Sequence, residues 1–151
     1  MDNLRELFYI MTRGFGFLDK QCCLSSFDCC QDLEISPIQS HILYEINRQH
    51  QPSIQKIAET LGTDITTFSR QIQTLVKMDL VKKTPHPEDR RISILSLTEK
   101  GKSLSIRIDQ EMKAYLNEVF SHMNDFEKET VIRSIKLLNE AMANSKRCCS
   151  P

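Results

Sequence analysis

Six cysteines stand in three adjacent pairs, Cys22-Cys23, Cys29-Cys30 and Cys148-Cys149. A thiolate is at once a nucleophile, a redox centre and a soft metal ligand, so three such pairs read as a chemical detector. Thiolates without nearby histidine favour soft species: Cu(I), Zn(II), an iron–sulfur cluster or trivalent arsenic. His41, His50, His86 and His122 are scattered with no ligand spacing, and the Cys-x-x-Cys of zinc knuckles is absent. On an unbroken helix Cys22 and Cys29 would share a face but stand about 10.5 Å apart, at ~1.5 Å rise per residue. One ion cannot bridge that gap. Chelation therefore needs a break between the pairs, and Ser25, Ser26 and Asp28 are suited to one. Two other readings stand beside chelation. Disulfide formation or thiol oxidation could switch the protein; Lys20 would favour a thiolate there, whereas Asp19 and Asp28 oppose it. Alternatively Cys22 simply extends the apolar spacing 4, 8, 11, 15, 18 and is a small buried hydrophobe.

What carries these thiols is an ordinary globular chain. It has 151 residues, 40% hydrophobic and 26% charged, with zero formal net charge. That is one domain's worth, enough to bury a core. No apolar run approaches the ~20 residues of a membrane span, and the N-terminus lacks the basic and apolar regions of a secretory signal. A cytoplasmic location is the expectation, where clustered cysteines serve more often as ligands or switches than as staples. Zero net charge excludes a globally basic nucleic-acid binder but not a locally basic one. Residues 1–50 carry seven acids and four bases, whereas residues 63–98 carry four acids and six bases. Positive charge gathers in the middle.

The elements that must position these residues follow from apolar spacing. Leu4, Leu7, Phe8, Met11, Phe15 and Leu18 predict an N-terminal helix. Ser36-Pro37 caps a second, with Ile38, Ile42, Leu43 and Ile46 inward. Ser53 caps a third, with Ile54, Ile57, Ala58 and Leu61 inward, and Gly62 ends it. A fourth begins near Thr66, with Phe68, Ile72, Leu75 and Val76 as its buried stripe. Two short helices around a tight glycine turn make a helix-turn-helix. Leu80–Thr84 and Ile92–Leu97 predict a hairpin around the loop 85–90, which is a wing. Thr98-Glu99-Lys100-Gly101 opens a long helix with Ile108, Met112, Tyr115, Leu116, Val119, Phe120 and Met123 in one stripe. A last helix, from about Phe126 to Asn144, puts Val131, Ile132, Ile135, Leu138 and Met142 inside. The fold class is mainly α with a small antiparallel β wing.

With that order of elements, the stretches 53–62, 75–81 and above all Pro87-Glu88-Asp89-Arg90-Arg91 through Leu97-Thr98-Glu99-Lys100-Gly101 resemble the MarR family of bacterial transcriptional regulators. The last looks like the family's wing signature, Asp-x-Arg followed by Leu-Thr-x-x-Gly. Asp79 departs from the family's usual glycine, in a turn that wants positive φ, which Asp tolerates. The resemblance implies a winged helix-turn-helix over 36–98. It implies a homodimer joined through helices in 1–35 and 99–151, reading a pseudo-palindromic operator in double-stranded DNA with no cofactor required. The first helix of one subunit would lie near the last of its partner, so Cys148-Cys149 could approach the N-terminal pairs. Adjacent cysteines also resemble the arsenic- and heavy-metal-binding pairs of other bacterial repressors, making arsenite, Zn or Cu candidate effectors. Some MarR-family members sense peroxide through an N-terminal-helix cysteine, which keeps the redox reading open.

The DNA-contacting candidates are Ser53, Thr66, Thr67, Arg70, Gln71, Gln73, Thr74, Lys77, Lys82, Asp89, Arg90 and Arg91. Arg, Gln and Thr on the outer face of the fourth helix can read base edges or grip phosphates. Arg90 and Arg91 at the wing tip suit a narrow minor groove. Asp89 is expected to pair with Arg91 and hold the tip, while Lys82 and Lys83 add phosphate contacts. An enzyme is not expected: there is no phosphate-binding glycine loop, Gly-x-Ser-x-Gly or His-Glu-x-x-His. A winged helix serving only protein contacts would not need so basic a wing.

Overall fold

The computed structural model describes residues 5, 6, 10, 11 and 35–145. Arg5, Glu6, Ile10 and Met11 are helical. All six cysteines, and most of the helix expected over 4–18, lie outside the described residues. The chain divides into two compact units, 1–111 and 112–151.

The first unit opens with α1, Pro37–Gln49. Ser36 caps it in a reciprocal box: the Gln39 N–H donates to Ser36 Oγ (3.4 Å), and the Ser36 N–H donates to Gln39 Oε1 (3.0 Å). Pro37 costs nothing here, because the first helical N–H has no intrahelical partner anyway. A turn with His50 at φ 48° and Gln51 at φ 57° leads to α2, Ile54–Thr60, capped by Ser53. Gly62, at φ 61°, takes the left-handed conformation that ends this helix. Then α3 runs Ile65–Lys77, one residue earlier than expected, because Asp64 caps it through the Thr67 N–H (2.9 Å).

The wing is β1, Val81–Pro85, paired antiparallel with β2, Ser93–Leu97, in the register Val81↔Leu97 to Pro85↔Ser93. Its base is tied to the start of α2, since the Leu95 N–H donates to Pro52 O (2.9 Å) and Ser53 bridges Ile94. α4, Glu99–Ser121, follows directly. One core unites these pieces: Ile42 and Leu43 of α1, Ile57 of α2, Phe68, Ile72 and Leu75 of α3, Leu80, Leu95, and Leu104 and Ile108 of α4. The sequence reading ended the winged domain at residue 98. The first compact unit runs to 111, and Leu104 and Ile108 of α4 belong to its core.

The second unit holds the end of α4 and α5, Asp125–Asn144. Asn124 and Glu127 form another capping box. The stripe expected inside this last helix is not inside the single chain. Ile132, Ile135 and Met142 are exposed, Val131 and Leu138 half-buried, and no residue of α5 is buried. An amphipathic helix buries its stripe only against another surface, and among the described residues none buries this one. Among the described residues, no helix is long and apolar enough to cross a membrane.

Candidate nucleic-acid interface

The wing signature has a structural reason. After α3 the chain must turn sharply into β1, and Asp79 makes the turn at φ 58°, as the positive-φ expectation required. The Thr98 hydroxyl donates to Asp79 O (2.7 Å) and accepts from the Gly101 N–H (2.9 Å), so one side chain fixes the turn and opens α4. The Thr98 N–H donates to Leu80 O (3.1 Å), and the Lys100 ammonium to Met78 O (3.1 Å). Gly101 lies against the same strand start: a Cβ there would stand 2.0 Å from Leu80 O. Leu-Thr-x-x-Gly is thus the clamp that holds the end of α3, the wing and the start of α4 in one frame.

On α3 the buried stripe is Phe68, Ile72 and Leu75. At ~100° per residue, Thr66, Arg70, Gln73 and Lys77 fall in one strip about 60° wide on the opposite side. All four are exposed, as are Thr67 and Thr74 at the strip's edge. The Thr74 hydroxyl donates to Arg70 O (3.1 Å), leaving its oxygen free to accept. Two assignments change. Val76, expected in the buried stripe, is 40% exposed; it walls a cavity of about 270 Å³ with Ile54, Ser69, Ile72, Gln73, Lys77 and Lys83. Gln71, expected on the outer face, is half-buried and accepts from Gln39 Nε2 at 3.1 Å. It lies about 40° round the helix from Leu75 and therefore faces the seam with α1.

Ser53 is half-buried and spends its oxygen on the Lys56 N–H (3.1 Å), so it positions α2 while its hydroxyl hydrogen stays available. At the wing tip, Asp89 accepts from the backbone N–H of Arg91 (2.9 Å), and the Ile92 N–H donates to Asp89 O (3.0 Å). Asp89 therefore holds the tip through the backbone; among the described residues no ion pair joins its carboxylate to the Arg91 guanidinium. The reason is local: an Asp carboxylate reaches the N–H two residues on without ordering a long side chain. The His86 N–H donates to Ile92 O (2.8 Å) and the Glu88 N–H to His86 Nδ1 (3.1 Å), closing the loop. Arg70, Lys77, Lys82, Lys83, Arg90 and Arg91 are all exposed, and among the described residues none of them is in an ion pair. Six exposed cations on one helix and one hairpin form a surface for a polyanion.

Asp64 was missed by the sequence reading, though an Asp just before an apolar helical spacing is a cap signal. Hydrogen bonds from Thr67 hold its carboxyl below the usual aspartate range, so it stays ionised at the positive end of α3. Gln39 was missed too, because nothing local shows which helix a buried amide reaches. The cysteine candidates lie outside the described residues, and among the described residues no cluster of His, Cys, Asp and Glu could hold a metal.

Residues 35–93 match the family model described as MarR family. The uncharacterized HTH-type transcriptional regulator YfiV of Bacillus subtilis (strain 168) is 25% identical over 115 residues, 76% of this chain and 72% of the relative. The crystal structure of Streptococcus pneumoniae FabT in complex with DNA superposes with a TM-score of 0.77 at 17% identity, covering 93% of this chain and 94% of that one. A mutant of MarR from E. coli complexed with operator DNA gives 0.73 at 21% identity, over 91% of this chain and 94% of that one. At such identities the two structures speak for a shared fold.

Proposed function

We propose that the chain, whose residues 35–93 match the MarR family model, is a regulator of that family, a homodimeric repressor that reads a pseudo-palindromic operator with α3 and the wing. That reading makes it a transcriptional regulator and not an enzyme, in keeping with the HTH-type regulators it is similar to. The observation that carries the DNA reading is the exposed, unpaired strip of α3, Thr66, Arg70, Gln73 and Lys77, continued by the cationic wing. Arg70 and Gln73 supply donors and acceptors at base edges, and Thr66 lies in the first turn, where a reading helix reaches deepest. Arg90 and Arg91 enter a minor groove, and Lys82 and Lys83 neutralise phosphates. That two proteins of the same fold were solved with DNA supports this reading. The test is a gel shift of reduced, metal-free protein at low salt against the DNA upstream of its own coding sequence; a reproducible shift is expected, and none would sink the reading.

The effector reading rests on the sequence alone. A soft metal or metalloid, such as arsenite, Zn(II) or Cu(I), binds the pairs Cys22-Cys23, Cys29-Cys30 and Cys148-Cys149 at the dimer base and resets the spacing of the two reading helices. The alternative is a redox switch through disulfide formation. Native mass spectrometry after exposure to each metal, arsenite or peroxide separates them: added metal mass, loss of two protons per disulfide, or an unchanged mass that rejects both.

A further inference from the structure

Gln39 is buried (7% exposed), and its two polar atoms have different duties. Its oxygen accepts the Ser36 N–H inside its own capping box. Its nitrogen donates to Gln71 Oε1 at 3.1 Å, across the seam to α3. The apolar stripe of α3, Phe68, Ile72 and Leu75, presses on the core without direction, so it resists separation better than roll. A hydrogen bond is directional. Roll is also what reading tolerates least: turning α3 by ~10° would carry a side-chain tip some 6 Å from its axis by about 1 Å. That displacement breaks a base-edge hydrogen bond, whereas a flexible lysine on a phosphate follows it.

We propose that Gln39 is a positioning residue for operator selection, locking the roll of α3 through its hydrogen bond to Gln71. This rests on the reading of α3 as the recognition helix. It makes Gln71 a strut instead of a base reader, and it makes the capped start of α1 part of the specificity apparatus although no DNA-contacting candidate lies on that helix. The bond sets the ratio of operator to non-operator affinity and leaves electrostatic attachment alone.

The experiment uses the full chain and the duplex it selects from a random-sequence library, with a scrambled duplex of the same composition as reference, measured by fluorescence anisotropy across a salt series. Gln71→Leu, which leaves the α1 cap intact, should lower the operator-to-scrambled ratio about fivefold, the factor one such hydrogen bond is worth. The slope with salt should not change. Gln71→Glu keeps an acceptor for Gln39 Nε2, so it should lower both affinities by its charge and preserve the ratio. The double variant Gln39→Leu, Gln71→Leu should lose no more selectivity than Gln71→Leu. The proposal is overturned if Gln71→Leu keeps the wild-type ratio, if Gln71→Glu loses as much as Gln71→Leu, or if the two leucine substitutions multiply. Wild-type protein that selects no sequence overturns the recognition-helix reading and the strut together. Wild-type selectivity that survives Gln71→Leu overturns the strut alone.

Discussion

Whether the wing can join α4 at all is decided by a single hydrogen atom. At Gly101 any side chain would enter Leu80 O, since a Cβ would stand 2.0 Å away. Alanine is ordinarily the better helix former, by ~1 kcal/mol. Here that preference is overridden by backbone overlap: Gly101→Ala should destabilise the first unit by at least the 1–3 kcal/mol typical of overpacking. Urea unfolding measures this, and an unchanged midpoint would refute the clamp. The reading residues divide by role. Arg70→Ala should cost operator affinity by about 1–3 kcal/mol and relax one base preference. Lys82→Ala should weaken operator and scrambled DNA alike and lower the salt slope by about 1. A titration giving the reverse pattern would move the reading role to the wing. At this scale the chain spoke clearly where one residue type answers one backbone demand: Asp79 in a positive-φ turn, Gly101 at a close approach, Ser36 and Ser53 as caps. It spoke poorly where the answer depends on what stands opposite. Val76 continues the α3 stripe in sequence, yet it is 40% exposed. Gln71 is polar and helical, yet its acceptor is taken by a residue 32 positions away.

Short helices of 7 and 13 residues, such as α2 and α3, are marginal alone and depend on caps and packing. Ser53 caps α2 and also bridges Ile94 of the wing. Ser53→Ala should therefore cost about 1 kcal/mol in unfolding, and it should loosen the hairpin's base, read as faster amide exchange at Leu95, whose N–H is bound to Pro52 O. Unaltered exchange there would show that the cap and the wing are independent. Acid should weaken α1 through Glu45. Burial opposes ionisation of its carboxyl, but hydrogen bonds from Arg48 and Gln49 and the Arg48 charge outweigh it and hold the pKa below the ordinary value. A folded pKa below the unfolded one means stabilisation present at neutral pH and lost as pH falls through the lowered value. The stability difference between wild type and Glu45→Gln should then shrink below pH ~4.3; a constant difference would exclude the ion pair with Arg48 as its source. Helix order and the hairpin were legible because apolar spacing of about 3.6 and strand alternation survive in any environment. Helix starts shifted by a residue where the cap, Asp64, lay one step before the spacing began.

The whole molecule poses the question of where α5 puts its apolar face. It is 20 residues long with none buried, and on that face it exposes Met142 (49%), Ile132 (43%) and Ile135 (43%). The first unit already owns a closed core of residues 35–108, so that face is not needed to fold the winged domain. A second copy of the chain is the partner that the proposed palindrome also demands, because two linked reading heads gain affinity from effective concentration without any new contact. The chain should therefore sediment at about 35 kDa, twice its 17.5 kDa. Ile135→Asp sets a charge in the proposed seam, where an unpaired carboxylate is costly to bury. It should give a 17.5 kDa species whose first unit still unfolds cooperatively. That species should bind a full operator about 10²-fold more weakly than wild type, while binding to a single half-site stays unchanged, since only avidity is lost. Wild type that sediments as a monomer at concentrations where it binds the full operator would refute the dimer. So would a monomeric Ile135→Asp variant with undiminished operator affinity. Loss of half-site binding in that variant would place α5 within the DNA-binding fold itself.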